Sequence, residues 1–141
     1  MGYGVMLATA GRAAVEGDGR SLFAADYLPG AEASKRADLV ICNGGSPTST
    51  QALLQGRPVL GVASNLDQFL NIRAVQARGA GRGLRADALT RGGFKDAVDR
   101  LAGFRAAKAA AALAAEAQAY EPAQALAEAI EARPAVASIT T

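Results

Sequence analysis

The residues best suited to chemistry lie together in Asn43-Gly44-Gly45-Ser46-Pro47-Thr48-Ser49-Thr50. This stretch follows an apolar run, Asp38 to Asn43, and opens a helix-like sequence that extends to Gln55. A helix N-terminus presents unpaired amide hydrogens and about half a unit of positive charge. Phosphate binds there without needing a lysine. Gly44 and Gly45 remove side chains, so backbone can approach an anion closely, and Ser46 and Thr48 add hydroxyl donors. The same residues also read as an ordinary strand-to-helix turn, with Ser46 as N-cap and Pro47 as the first helical residue. Neither G-x-x-x-x-G-K-[ST] nor a G-x-G-x-x-G after a strand is present, which excludes a P-loop enzyme and a plain dinucleotide reader.

Asp67-Gln68 is a second candidate. A carboxylate beside an amide can hold neighbouring sugar hydroxyls through several directional bonds. Asp67 also reads as an acidic residue that complements a helix dipole. Gln51 lies about one turn into the helix behind the glycines, where it can reach a ribose or stand in solvent.

Short strands and helices must position these groups. Residues 4–9 and 21–25 read as strands, and Gly17, Asp18 and Gly19 mark a turn between them. Tyr27-Leu28-Pro29-Gly30 breaks the second strand, and residues 31–37 suit a short helix. Asp38 to Asn43 is the clearest buried strand. Gly56 stands at a helix C-cap, Pro58 to Val62 reads as a strand, and Leu66 to Arg78 as a helix stopped by Gly79. A last short strand fits Gly81 to Arg85. Phe94, Ala97, Val98 and Leu101 then form one apolar helical stripe, ended by Gly103. The alanine-rich stretch 104–132 predicts two thin helices packed closely on the sheet, and residues 134–141 a frayed tail. Strands alternating with helices through short loops predict an α/β domain over residues 1–133, with a mostly parallel sheet and a helical C-terminus.

Composition narrows the chemistry further. The 141 residues contain no histidine and one cysteine, Cys42. A Ser-His-Asp or Cys-His catalytic set, a histidine-ligated metal and a disulfide framework are therefore excluded within this chain. No apolar run reaches ~18 residues, and the N-terminus lacks signal-peptide character, so cytoplasmic residence is expected. The net charge of +2 is carried by scattered basic residues among few aromatics, which does not point to nucleic acid.

Taken in order, Tyr27-Leu28-Pro29, Asp38 to Gly45, Thr48, Gln51-Ala52-Leu53, Gly56 to Leu60, and Asp67-Gln68 with Asn71 make a more specific pattern than any one of them. From about Val5 to Ile130 the chain resembles the C-terminal, donor-binding half of two-domain GT-B glycosyltransferases. The branch it is most similar to is the UDP-glycosyltransferase-like one, which includes macrolide and sterol glycosyltransferases. The resemblance implies a Rossmann-like three-layer domain. It implies that a nucleotide-diphosphate sugar binds as substrate, a UDP-sugar by family frequency, with no cofactor and no metal. Tyr27, Leu28 and Pro29 would lie against the nucleobase. Asn43 would face the diphosphate, and Gly44, Gly45, Ser46 and Thr48 would form the phosphate-contacting turn. Gln51 would meet the ribose, and Asp67 and Gln68 would hold the transferred sugar.

Two positions depart from the family pattern. Asn43 stands where the family carries histidine, and Gln51 where many members carry a ribose-binding glutamate. Both keep hydrogen-bonding capacity, but Gln51 loses the charge. Relative to the family, the acceptor-binding half is absent, as are the first strand and first helix of this half. That strand is central in the usual order. A buried gap would leave backbone unpaired, so Val5–Thr9 is expected to shift into it, or another chain (a second copy included) to cover it. The resemblance assigns the general base to the acceptor half, leaving no catalytic residue in this chain. The isolated chain is accordingly expected not to turn over. Two other readings of the same residues are a stand-alone donor subunit that needs a partner chain and a non-catalytic module that keeps the fold.

Overall fold

The computed structural model describes residues 2–132; the tail expected at 134–141 lies outside the described residues. The chain runs β1 (Val5–Ala8), β2 (Leu22–Ala25), α1 (Gly30–Arg36), β3 (Val40–Cys42), α2 (Ser46–Leu54) and β4 (Val59–Ala63). It continues through α3 (Leu66–Ala77), β5 (Gly81–Arg85), a 3-10 turn (Ala86–Ala88), α4 (Arg91–Leu101), α5 (Phe104–Ala119) and α6 (Pro122–Glu131).

β4 is the centre of the domain. It pairs in parallel with β3 on one side and β5 on the other. Because strand side chains alternate, Val59 and Leu60 leave β4 on opposite faces, and both are fully buried. Val59 joins Ala52 of α2, Ile72 and Val75 of α3, and Ala110 of α5. Leu60 joins Ala97 and Leu101 of α4 and Ala106 of α5. This gives three layers, with α2 and α3 on one face and α4 on the other. Burying each large aliphatic side chain contributes about 1.5–3 kcal/mol, so this two-sided core is the main stabilising feature.

α3 approaches the sheet closely because the row beneath it lacks bulk. Cys42, Gly61 and Gly83 lie in register across β3, β4 and β5. A Cβ on Gly61 would sit 2.6 Å from Ile72 Cγ1, and one on Gly83 2.9 Å from Ile72 Cγ2. Ile72, fully buried, fills the space those glycines leave. α2 ends in a Schellman motif: Gly56, at φ 68°, donates to Leu53 O (2.9 Å), and Arg57 N donates to Ala52 O (2.9 Å).

Three expectations need correction. First, Ser46 does not cap α2. Gly45 is the N-cap, with extended backbone and no side-chain cap bond, and Ser46 begins the helix. The Asn43 side chain accepts from Gly45 N (2.9 Å), which tightens the turn and starts the helix one residue earlier. Second, Val5–Thr9 does not shift into the central position. β1 pairs with β2 in a separate two-stranded parallel sheet, and β3 pairs only with β4. Bonds from Val5 N to Ser21 O (2.7 Å) and from Thr9 N to Ala25 O (2.9 Å) hold β1 against β2, and a shift would break that ladder. Third, the two alanine-rich helices do not both pack. α5 buries Ala106, Ala110 and Ala114, mainly against α2 and α4, whereas α6 buries no residue.

Asp18 secures the turn before β2. Its carboxylate accepts from the Ser21 hydroxyl (2.6 Å) and from the amides of Arg20 (2.8 Å), Ser21 (2.7 Å) and Leu22 (2.8 Å). These bonds, led by that of the Ser21 hydroxyl, hold the carboxyl well below the usual carboxylate range. A depressed folded-state pKa means the contribution is present above the unfolded carboxylate pKa and is lost as pH falls through the folded value. Urea midpoints should therefore drop more on acidification in the wild type than in Asp18→Asn. Gly61→Ala should destabilise by about 1–3 kcal/mol through overpacking under Ile72. Gly92→Ala, where an added Cβ meets nothing within 4 Å, should leave stability unchanged or raise it.

Candidate functional site

The glycine turn is built between β3 and α2 and clamped from the side by α3. Gly44, at φ 81°, adopts a left-handed conformation that a side chain would strain. It is buried, and a Cβ there would lie 3.2 Å from Gln68 O and 3.3 Å from Ile72 Cβ. Asn71 Nδ2 donates to Gly44 O at 2.7 Å, fixing the turn to the first turns of α3. Ser49 is buried beneath it, with its Oγ 3.8 Å from Cys42 Sγ.

The donors of this turn divide into inward and outward sets. Gly44 N donates to Cys42 Sγ (3.3 Å), Gly45 N to Asn43 Oδ1 (2.9 Å) and Ser49 N to Gly45 O (3.3 Å). Pro47 has no amide hydrogen. The amides of Ser46 and Thr48 have no acceptor among the described residues, and both side chains are exposed. The cradle expected from all the amides of residues 44–48 is therefore narrower, with the two glycines providing access and shape rather than donors. The first turn of α2 holds no acidic residue, so its positive end is not already neutralised within the helix. Asn43, with its carbonyl engaged, keeps its amide group as a donor.

Asp67 and Gln68 stand on the first turn of α3, whose N-cap Asn65 accepts from Gln68 N (3.0 Å). Gln68 Oε1 accepts from Ser64 N (2.9 Å) and Ser64 Oγ (3.1 Å), so only its amide group remains to meet a ligand. Asp67 is exposed. Asn65 and Ser64, which orient this pair, escaped the sequence reading, although an asparagine just before a helix is a recognisable cap signal.

Gln51 is exposed, with its side chain laid against the start of α1. Its Oε1 lies over Gly30, where any Cβ would collide with it. Gly30 begins α1 directly after Tyr27, Leu28 and the N-cap residue Pro29, and Tyr27 is exposed. Gln51 thus sits on α2 over the start of α1, and Thr48 and Gln51 are three residues apart on α2 and share a face. The structure brings Gly44 directly against the first turns of α3, and Gln51 lies over Gly30, the residue that follows Tyr27–Pro29. Each group follows the carboxyl end of its own strand, where ligands bind in open α/β sheets.

A cavity of about 580 Å³ opens on the other side of the α3 first turn, beyond the ends of β4 and β5. Ala63, Leu66, Phe69 and Ala86 give half of its lining, and the polar Ser64 and Asn65 and the charged Arg85 and Asp87 the other half. Arg85 Nη2 lies 2.6 Å from Asp87 Oδ2, and this bond holds the Asp87 carboxyl below its ordinary value. The sequence reading did not single out these residues.

Comparison with known proteins bears on the family and the fold. Over 97 residues the chain is 47% identical to a PGL/p-HBAD biosynthesis glycosyltransferase of Mycobacterium tuberculosis, covering 69% of this chain and 23% of that protein. It is 53% identical over 85 residues to a PGL/p-HBAD biosynthesis rhamnosyltransferase of Mycobacterium bovis, covering 60% of this chain and 19% of that protein. The chain thus matches about a fifth to a quarter of the length of these relatives. The solved glycotransferase of kitacinnamycin superposes with a TM-score of 0.77 at 21% identity, covering 91% of this chain and 34% of that one. Glycosyltransferase VinC in complex with DTDP superposes with a TM-score of 0.69 at 23% identity, covering 79% and 29%. At these identities the structural likeness is one of fold, that of GT-B glycosyltransferases. Residues 12–132 match the family described as erythromycin biosynthesis protein CIII-like, C-terminal domain, and the chain belongs to that family, the C-terminal half of a GT-B glycosyltransferase.

Proposed function

We propose that this chain binds the nucleotide-diphosphate sugar for a glycosyltransferase whose acceptor-binding half lies in the same or another chain. The observation that carries this reading is the outward face of the glycine turn. Two amides without acceptors among the described residues, two exposed hydroxyl-bearing side chains and a helix end with no acidic residue in its first turn lie together there. A diphosphate seated on Ser46 and Thr48 would have its developing charge met by donors already in place, so little reorganisation is needed as it leaves. The acceptor hydroxyl oxygen forms a bond to the anomeric carbon as the bond from that carbon to the diphosphate oxygen breaks. The hydroxyl proton passes to a base of the acceptor half, because this chain contains no histidine and Asp67 is occupied with sugar hydroxyls.

Tyr27, Leu28 and Pro29 form the base-facing loop in this reading, and Gln51, whose side chain lies over Gly30, meets the ribose. A uridine nucleotide is the donor proposed, in a cytoplasmic setting. The DTDP complex of VinC makes dTDP the necessary comparison. The edges of β1 and β3 that are unpaired among the described residues support a further element of the reading: a strand from the acceptor-bearing segment or from a second copy lies between them.

Calorimetric titration with UDP, dTDP and their hexose conjugates tests the proposal. Thr48→Val should weaken UDP binding by about tenfold, the loss of roughly one charge-assisted hydrogen bond. Asp67→Ala should spare UDP and weaken the sugar conjugate by a similar, about tenfold, factor. Absence of saturable binding to any nucleotide would favour a module that only keeps the fold. The purified chain alone should show no transfer to an alcohol acceptor in a product assay, since the base is supplied elsewhere.

A further inference from the structure

Resting on the reading that Tyr27, Leu28 and Pro29 face the nucleobase, we propose that Thr9 and Asp26 are positioning residues for nucleotide binding. They fix the root of that loop before any ligand arrives, through a strained turn at the end of β1.

β1 and β2 run parallel, so both carboxyl ends lie on one edge of their two-stranded sheet. At that edge the chain leaves β1 through Thr9-Ala10-Gly11-Arg12, closed by a bond from Arg12 N to Thr9 O at 3.0 Å. The two central residues, Ala10 at φ 51° and Gly11 at φ 68°, have the pair of positive φ angles of a type I′ turn. Glycine takes that conformation freely, whereas alanine takes it under strain. Ala10 is the only non-glycine residue with positive φ among the described residues. Such strain persists where surrounding contacts hold it.

The contacts that hold this turn go to the approach to Tyr27. Thr9 N donates to Ala25 O (2.9 Å), Ala10 N to Asp26 O (2.9 Å) and the Thr9 hydroxyl to Asp26 Oδ1 (2.7 Å). Asp26, the residue directly before Tyr27, is thus bonded through both its backbone and its side chain. At the far end of the loop, Pro29 O accepts from Ala33 N of α1 (2.9 Å). Between these anchors the amides of Tyr27 and Leu28 have no acceptor among the described residues, and Tyr27 is 78% exposed. A loop with no bonds of its own keeps its direction through its ends. The Thr9 hydroxyl supplies the side-chain bond at the β2 end.

Calorimetric titration with UDP and amide NMR of the same variants test the assignment. Thr9→Val keeps the shape of the side chain and removes the hydroxyl. It should weaken UDP binding by about three- to fivefold, the loss of one exposed hydrogen bond acting through the loop. In the free chain the amide resonances of Tyr27 and Leu28 should move, while those of Ser46 and Thr48 stay in place. Thr9→Ser, which keeps the hydroxyl, should bind UDP as the wild type does. Asp18→Asn loosens the same sheet at the opposite end of β2, where Asp18 accepts from Leu22 N, and should leave UDP affinity unchanged. UDP affinity that survives Thr9→Val, or that falls equally in Thr9→Ser or Asp18→Asn, would overturn the positioning role and leave the donor reading standing. Amide shifts that spare Tyr27 and Leu28 would do the same. A wild-type chain without saturable UDP binding would refute the donor reading and this role with it.

Discussion

The closeness of α3 to the glycine turn is the constraint on which the rest of the ligand edge depends. Three glycines that meet at Ile72, namely Gly44, Gly61 and Gly83, remove the side chains that would hold the helix off. The bond from Asn71 Nδ2 to Gly44 O, at 2.7 Å, then fixes the distance between the two loops. A buried, well-packed contact of this kind has few alternative arrangements. The turn that leads into Ser46 and Thr48 is thereby held against α3 by core packing. Preorganisation of this kind matters most where charge develops on a leaving group.

The same helix gives the edge its division of labour. One side of its first turn is polar and tied to the glycine turn, whereas the other lines a cavity of mixed polarity in which Arg85 and Asp87 pair with each other. Asn65 and Ser64 organise the junction by engaging the amide and side-chain carbonyl of Gln68. Gln68 is thus partly a structural residue, which leaves Asp67 as the freer of the two groups proposed to face the sugar.

Much of the fold was legible in the sequence because its local signals agree. Gly56 and Gly79 each follow a helix with positive φ, and the β5 bounds Gly81–Arg85 coincide with the strand expected there. Other features depended on contacts distant in sequence. The start of α2 moved because Asn43 reaches Gly45, and the direction of the Gly44 amide depends on the Cys42 thiol. The position of Gln51 is set by Gly30, on another helix. Arg85 and Asp87 went unnoticed because a short exposed ion pair after a strand has no distinctive spacing. β1 stayed with β2 because its existing ladder is local, whereas filling a central gap would exchange those bonds for new ones at no evident gain. Alanine content conveyed helix propensity but not packing: α5 is docked through its small side chains, while Leu126 and Ile130 of α6 stand exposed.

The central claim is that the outward amides at the start of α2 hold the diphosphate. A crystal structure of the chain with UDP measures this most directly. The account predicts phosphate oxygens within hydrogen-bonding distance of the Ser46 and Thr48 amides, with the Gly44 amide still turned to Cys42. A diphosphate seated away from residues 46–48, or a turn closed over by side chains, would contradict it.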